Sequence, residues 1–101
     1  MHTMQALADP TRERILDELS RGPRTANEIV ALFDLKQPTI SRHLRVLRES
    51  NLVTVRPQGT ARIYALNPAP LEELDRWLAR YRHLWASRLD RLEQFMDEDQ
   101  R

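Results

Sequence analysis

The sequence has 101 residues, no cysteine and a net charge of +1; it predicts one small domain without disulfides or thiolate metal sites. The charge is uneven, because the segment from Lys36 to Arg62 holds six basic residues and one acid, a local charge of +5 that leaves −4 for the rest. No apolar run approaches the roughly 20 residues that span a bilayer, and the N-terminus lacks a signal-peptide pattern, so we expect a cytoplasmic protein without a membrane partner.

The first third of the chain predicts three short helices, two of them with clear start signals. A helical stretch from His2 to Ala8 leads to Asp9, a good N-cap for a second helix that runs to about Ser20. Thr25 and Glu28 have the spacing of a capping box, which predicts the start of a third helix.

After a three-residue turn, a helix is predicted at about 37–50, with Ile40, Leu44 and Leu47 on its inner face. Its outer face is rich in hydrogen-bond donors and lacks an acid before Glu49: Gln37, Ser41, Arg42, Arg45 and Arg48. Two helices joined by so short a turn form a helix-turn-helix, and such a polar face suits the major groove of duplex DNA. For an isolated helix, a merely solvated basic face is an equally good interpretation.

A β-hairpin is predicted at about 52–66, since two strands flank the turn residues Pro57 to Thr60. Its tip is flanked by Arg56 and Arg62, which makes the hairpin a candidate wing. The sequence leaves open which side of the second strand is buried.

The last element is predicted as a single helix at about 71–97, about 40 Å long at ~1.5 Å per residue. It carries an apolar stripe longer than one small domain can cover, which predicts pairing with a second copy, assisted by the short N-terminal helix. We assign these residues to the dimer interface: Leu71, Leu74, Leu78, Tyr81, Trp85 and Leu92. The aromatic cluster of Trp77, Tyr81 and Trp85 either packs in this interface or lines a small-molecule pocket, and packing is the preferred interpretation.

Helices, helix-turn-helix and wing together resemble the ArsR/SmtB-type transcriptional repressors. The resemblance rests on residues 6–12, on the string Gln-Pro-x-x-Ser-x-His-Leu at 37–44, on residues 46–49 with 52–53, and on Gly59 and Tyr64 in the wing. It covers about residues 4–97. It implies a homodimeric repressor that binds double-stranded DNA at a palindromic operator.

By the same resemblance, the recognition helix contacts bases and phosphates through Gln37, Thr39, Ser41, Arg42 and Arg45. Lys36 adds a cation beside the phosphates, and Arg56 and Arg62 on the wing are better placed for phosphates or for a narrow minor groove at the operator flanks. Lys36 departs from the family pattern, because many relatives have a capping serine there and a lysine cannot accept a hydrogen bond from the helix N-terminus.

The sequence also departs from the metal-sensing members of that family. The family's Cys-x-Cys aligns with Thr25 and Asn27, and His83 has no Asp or His two residues before it. We therefore predict no metal site and no cofactor, and the inducing signal is left open.

The predicted fold is mainly α with a small β-hairpin: a single winged helix-turn-helix domain spanning 1–101, with about five helices and a two-stranded wing. The predicted function is sequence-specific transcriptional regulation, most simply repression. The alternative is a winged-helix module that binds proteins and not DNA, although such a module would not need the +5 segment. No catalytic residues are predicted, because the sequence shows no phosphate loop, nucleophile grouping or paired carboxylates.

Overall fold

The computed structural model describes the backbone of residues 2–99 and the side chains of residues 2–96. The predicted domain, 1–101, extends past the described residues at both ends. The chain divides between Leu71 and Glu72 into two compact units. The elements are, in order, α1 (His2–Leu7), α2 (Pro10–Ser20), β1 (Arg24–Thr25), α3 (Ala26–Ala31), α4 (Gln37–Glu49), β2 (Val53–Gln58), β3 (Ala61–Leu66), α5 (Ala69–Ala79), a 3₁₀ turn (Arg82–Leu84) and α6 (Ala86–Asp99).

Two helices of the first unit, α2 and α3, start with the predicted side-chain caps. Asp9 accepts hydrogen bonds from the backbone N–H of Thr11 at 2.8 Å and of Arg12 at 3.1 Å, and Pro10 occupies the first turn of α2. Thr25 and Glu28 form the reciprocal capping box of α3, with both bonds at 3.1 Å. These bonds satisfy N–H groups that have no partner within the helix.

Helix α4 ends at a left-handed residue, an asparagine, which tolerates this conformation better than most residues. Asn51 has a φ of 60°, and the N–H of Leu52 donates to the carbonyl of Leu47 at 3.0 Å. Leu52 is fully buried, so its side chain anchors the turn to the core in the manner of a Schellman motif.

One hydrophobic core joins the first four helices to the sheet. Its fully buried side chains come from α2, α3, α4 and the turn after α4: Ile15, Ile29, Ile40, Leu47 and Leu52. Val53 of β2 belongs to the same core, and Tyr64 and Leu66 of β3 pack against it. The inner face of α4 is thereby fixed, which leaves its other face to solvent.

The sheet has three antiparallel strands in the order β1-β3-β2: β2 and β3 form the predicted two-stranded wing, and β1 adds a short third strand. The extra strand has two residues, with Arg24 opposite Tyr64 and Thr25 opposite Ile63. It lies directly before α3, where the capping box already requires an extended Thr25, and so short a strand has no alternating pattern to detect.

The second unit corrects the prediction of one continuous final helix at 71–97. Helix α5 stops at Ala79 and α6 starts at Ala86, and the segment between them uses i to i−3 hydrogen bonds, from Leu84 to Tyr81 and from Trp85 to Arg82. Tyr, His and Trp in this segment are weaker helix formers than Ala or Leu, and the tighter bonds satisfy the freed backbone groups. Arg82 also pairs with Asp75 of α5. Counting α6, the described residues contain six α-helices rather than about five.

Between residues 2 and 99, none of the helices has the length and hydropathy needed to cross a membrane.

Candidate nucleic-acid interface

Helix α4 presents a polar face to solvent along its whole length. Gln37, Ser41, Arg42 and Arg45 are exposed and Thr39 is half-buried, while Ile40, Leu44 and Leu47 on the opposite side are buried. The structure therefore brings the predicted helix residues together on one surface, which we call the α4 face (residues 37, 39, 41, 42 and 45).

The α4 face includes a shallow depression of about 400 Å³ lined by Pro38, Ser41, Arg42 and Arg45. Among the side chains that the structure describes, neither of these two arginines forms an ion pair. Their guanidinium groups are free to donate paired hydrogen bonds to phosphates or to guanine edges.

The start of α4 has no side-chain cap. Lys36 adopts an extended backbone and accepts hydrogen bonds through its carbonyl from the N–H of Thr39 and Ile40, but its side chain accepts none. Pro38 in the first turn has no N–H to satisfy. The positive end of the helix dipole and the Lys36 ammonium thus lie at the same exposed end, which favours a nearby anion.

The wing residues Arg56 and Arg62 are both exposed but lie on opposite faces of the hairpin. Arg56 is opposite Ile63, and Arg62 is opposite Pro57; since residues opposite one another share a face and faces alternate along a strand, the two arginines diverge. Arg62 shares its face with buried Val53, and therefore lies on the same side of the hairpin as the core and α4. The sequence alone does not reveal this divergence, because it depends on the strand register.

The turn between the strands contains only Gly59 and Thr60. Gly59 has a φ of 63°, and glycine first in a two-residue loop is the arrangement that type II′ hairpins use. The tight turn keeps both wing arginines within a few residues of the tip.

A polar cluster behind α4 was not identified as functional from the sequence. Arg12 of α2 donates from Nε to the carbonyl of Ala6 at 2.7 Å and from Nη2 to that of Gln5 at 3.2 Å. Its Nη1 lies 3.2 Å from Nδ1 of His43 on α4. Nδ1 of His43 is also 3.9 Å from the Asp9 carboxylate. In the sequence, His43 appears only as a histidine on the flank of the apolar stripe of α4. Its partners in the cluster lie about thirty residues earlier in the chain.

Asp9 is stabilised in its charged form within this cluster. Burial acts to raise the pKa of the Asp9 carboxyl, but hydrogen bonds from the N–H of Arg12 and Thr11, with the charges of His43 and Arg12, outweigh it and lower the pKa below its ordinary value. Asp9 therefore stays ionised to a lower pH than an ordinary aspartate does.

The residues assigned to a dimer interface differ in exposure within the single chain. Leu71, Leu74 and Leu78 of α5 are half-buried, whereas Tyr81, Trp85 and Leu92 are 40%, 37% and 55% exposed. Further large apolar side chains of the second unit are exposed as well: Leu84, Leu89, Phe95 and Met96. The rings of Trp77 and Tyr81 contact each other at 5.2 Å between centroids.

The described residues contain no group of three or more potential ligands from His, Cys, Asp and Glu that is placed to hold a metal ion. His43 is occupied by Arg12, and His83 lies in the 3₁₀ turn.

Residues 9–55 match the family model described as bacterial regulatory protein, arsR family. The HTH-type transcriptional regulator Rv2034 of Mycobacterium tuberculosis is 38% identical over 95 residues, which cover 94% of this chain and 86% of the relative. The transcriptional repressor SdpR of Bacillus subtilis is 32% identical over 80 residues, 79% of this chain and 89% of that one. Among solved structures, an ArsR-like transcriptional regulator from Rhodococcus sp. RHA1 matches with a TM-score of 0.73 and 30% identity, over 93% of this chain and 89% of its own.

Proposed function

Since the chain belongs to the ArsR family of bacterial regulatory proteins, we propose that it represses transcription as a homodimer bound to a palindromic operator. Like its relatives, it is a DNA-binding transcriptional regulator, and it is not an enzyme. The observation that carries the finer proposal is the α4 face, whose arginines are exposed and unpaired among the described side chains. A repressor that acts on operator DNA works in the cytoplasm.

Within each half-site, α4 is the element that enters the major groove. Gln37, Thr39, Ser41 and Arg42 lie in its first turns, the part of a recognition helix that reaches base edges. Arg45 lies one turn later, and Lys36 precedes the helix; both are suited to phosphates. Arg62 of the wing is the stronger candidate for a further phosphate contact, because its face of the hairpin is the one nearer to α4.

The homodimer is supported by the apolar surface of the second unit. Leu89, Leu92 and Met96 recur at i, i+3 and i+7 on α6 and are each 55% exposed in the single chain. A soluble domain rarely leaves so continuous a stripe in water, and a second copy of α6 would cover it through a two-fold contact. To enter successive major grooves, the two recognition helices of the dimer would have to lie about 34 Å apart, one turn of DNA.

The proposal is tested by footprinting and competition on DNA that flanks the gene. We expect two protected half-sites about one helical turn apart, two chains per duplex, and weak competition by shuffled DNA of the same composition. Raising the salt from about 50 to 200 mM should weaken binding steeply, because phosphate contacts release counterions. Equal binding to shuffled DNA, or no binding at low salt, would instead favour a winged-helix module for protein contacts.

We also propose that the signal controlling this repressor is not a metal ion. At the positions of the family's Cys-x-Cys, Thr25 caps α3 and Asn27 lies in its first turn, and neither supplies a thiolate. Zinc, cadmium and arsenite should leave operator affinity unchanged within about threefold, since a metal must bind the two DNA-binding states differently to shift them. Titration of the operator complex with each metal checks this. A large shift that His83→Ala abolishes would contradict it.

A further inference from the structure

The Arg12 side chain links three elements of the first unit through one guanidinium group. It donates to two carbonyls near the end of α1, from Gln5 and Ala6, and to Nδ1 of His43 on α4, while its own backbone belongs to the first turn of α2. Because a guanidinium only donates, this contact is a hydrogen bond in the form of His43 whose Nδ1 carries no proton and accepts. His43 is 15% exposed, so this bond is largely shielded from water.

The core holds the inner face of α4, but the packing between α1 and the second half of α4 is incomplete. A crevice of about 360 Å³ lies between them, lined by Gln5, Ala6 and Arg12 on one side and by Val46, Glu49 and Ser50 on the other. Where side chains do not interlock, a polar link adds to what the core fixes and limits the remaining movement of a helix. Arg12 is that link, and its partner His43 directly follows Arg42 on the same helix.

We propose that Arg12 is a positioning residue for DNA recognition: through His43 it adds to the core in fixing the rotation and position of α4, and so affects how well the α4 face meets base edges. This inference rests on the proposed DNA binding. The Arg12 side chain is directed into the cluster behind α4 and does not itself contact DNA. Base-edge contacts require placement within a fraction of an ångström, whereas phosphate contacts tolerate more movement. Removing the link should therefore lower specificity more than general affinity for DNA.

The test compares Arg12→Met with Arg14→Met, a matched control on the same helix. Both changes remove one positive charge from α2, but Arg14 contacts the Leu32 carbonyl and the Phe33 ring and not α4. Affinities for operator and shuffled DNA are measured over a range of salt, far below the unfolding temperature of each variant. We expect Arg12→Met to lower the ratio of operator to shuffled affinity about tenfold, with an unchanged salt slope, and Arg14→Met to leave the ratio unchanged. If the unaltered protein itself bound operator and shuffled DNA equally, the proposed function would fail before this comparison began.

Variants of His43 test the same link from the other end and do not depend on how well Arg12→Met folds. His43→Leu removes the acceptor and should lower the specificity ratio to a similar extent, whereas His43→Asn, whose carbonyl oxygen can take the place of Nδ1, should restore most of it. The double variant Arg12→Met/His43→Leu should lower the specificity ratio no further than either single variant does. A lower unfolding temperature with an unchanged specificity ratio would make Arg12 merely structural. An equal reduction in affinity for all DNA, with a salt slope lower by about one, would make it a phosphate contact; either result overturns the proposal.

Discussion

Leu92→Asp is expected to convert the proposed homodimer into monomers. Leu92 is 55% exposed in the single chain, so an aspartate there costs little in an isolated protomer. In a two-fold contact through α6, the same carboxylate would be buried without a partner, and its copy from the second chain would be buried beside it. Such a charge costs about 3–5 kcal/mol, roughly a hundredfold or more in the dissociation constant of the dimer.

The matched control is Gln94→Asp, which adds the same charge to the same helix. Residue 94 lies about 200° around α6 from residue 92, on the side away from the leucine stripe. Sedimentation at micromolar concentration should show a dimer for the control and a monomer for Leu92→Asp. A dimeric Leu92→Asp variant would mean that the interface lies elsewhere, and dissociation of both variants would mean that charge rather than position is responsible.

Dissociation of the dimer should also remove operator binding. Two linked recognition helices bind a palindrome far more tightly than one, because the second half-site is engaged at a high effective concentration. A monomer with an intact α4 face should retain weak, salt-sensitive binding to any DNA. The comparison of Leu92→Asp with Gln94→Asp on operator DNA therefore separates assembly from base contact.

The local features of the fold were predictable because each depends on a few neighbouring residues. Asp9 caps α2, Thr25 and Glu28 close a capping box, and Asn51 takes the left-handed conformation that ends α4. Side-chain size and hydrogen-bonding capacity decide these features within four residues. The apolar spacing along α4 likewise predicted which of its residues face the core. The residues on the opposite side were therefore predicted to face solvent.

The features that the sequence did not predict depend on tertiary contacts or on small differences in propensity. β1 exists because Arg24 and Thr25 meet β3 about forty residues later, and two residues have no periodicity. The break after Ala79 contains neither glycine nor proline, so no residue there forbids a continuous helix. The link from α2 to α4 and the divergence of the two wing arginines likewise require the tertiary structure, the first through a distant pair and the second through strand register.

Arg42→Ala and Arg62→Ala are expected to change DNA binding in different ways. Arg42 lies in the first turns of α4, and an arginine that donates two hydrogen bonds to a guanine edge contributes about 1–3 kcal/mol of discrimination. Its removal should relax sequence preference at one or two positions of each half-site. Arg62 is suited to phosphates, so its removal should weaken binding to all sequences alike and lower the salt slope by about one unit for each phosphate that the side chain neutralises.

Selection on randomised operators at fixed salt, followed by salt titration, distinguishes the two arginines. Arg56→Ala is the matched control for the wing, because it removes the same charge close to the turn but on the face away from α4; we expect it to change the salt slope less than Arg62→Ala does. If Arg62→Ala altered the preferred sequence while Arg42→Ala left it intact, the wing would read the bases and α4 would anchor the backbone. If Arg56→Ala matched Arg62→Ala, the twist of the hairpin near its tip would bring both faces to the DNA, and register alone would not determine which arginine binds phosphate.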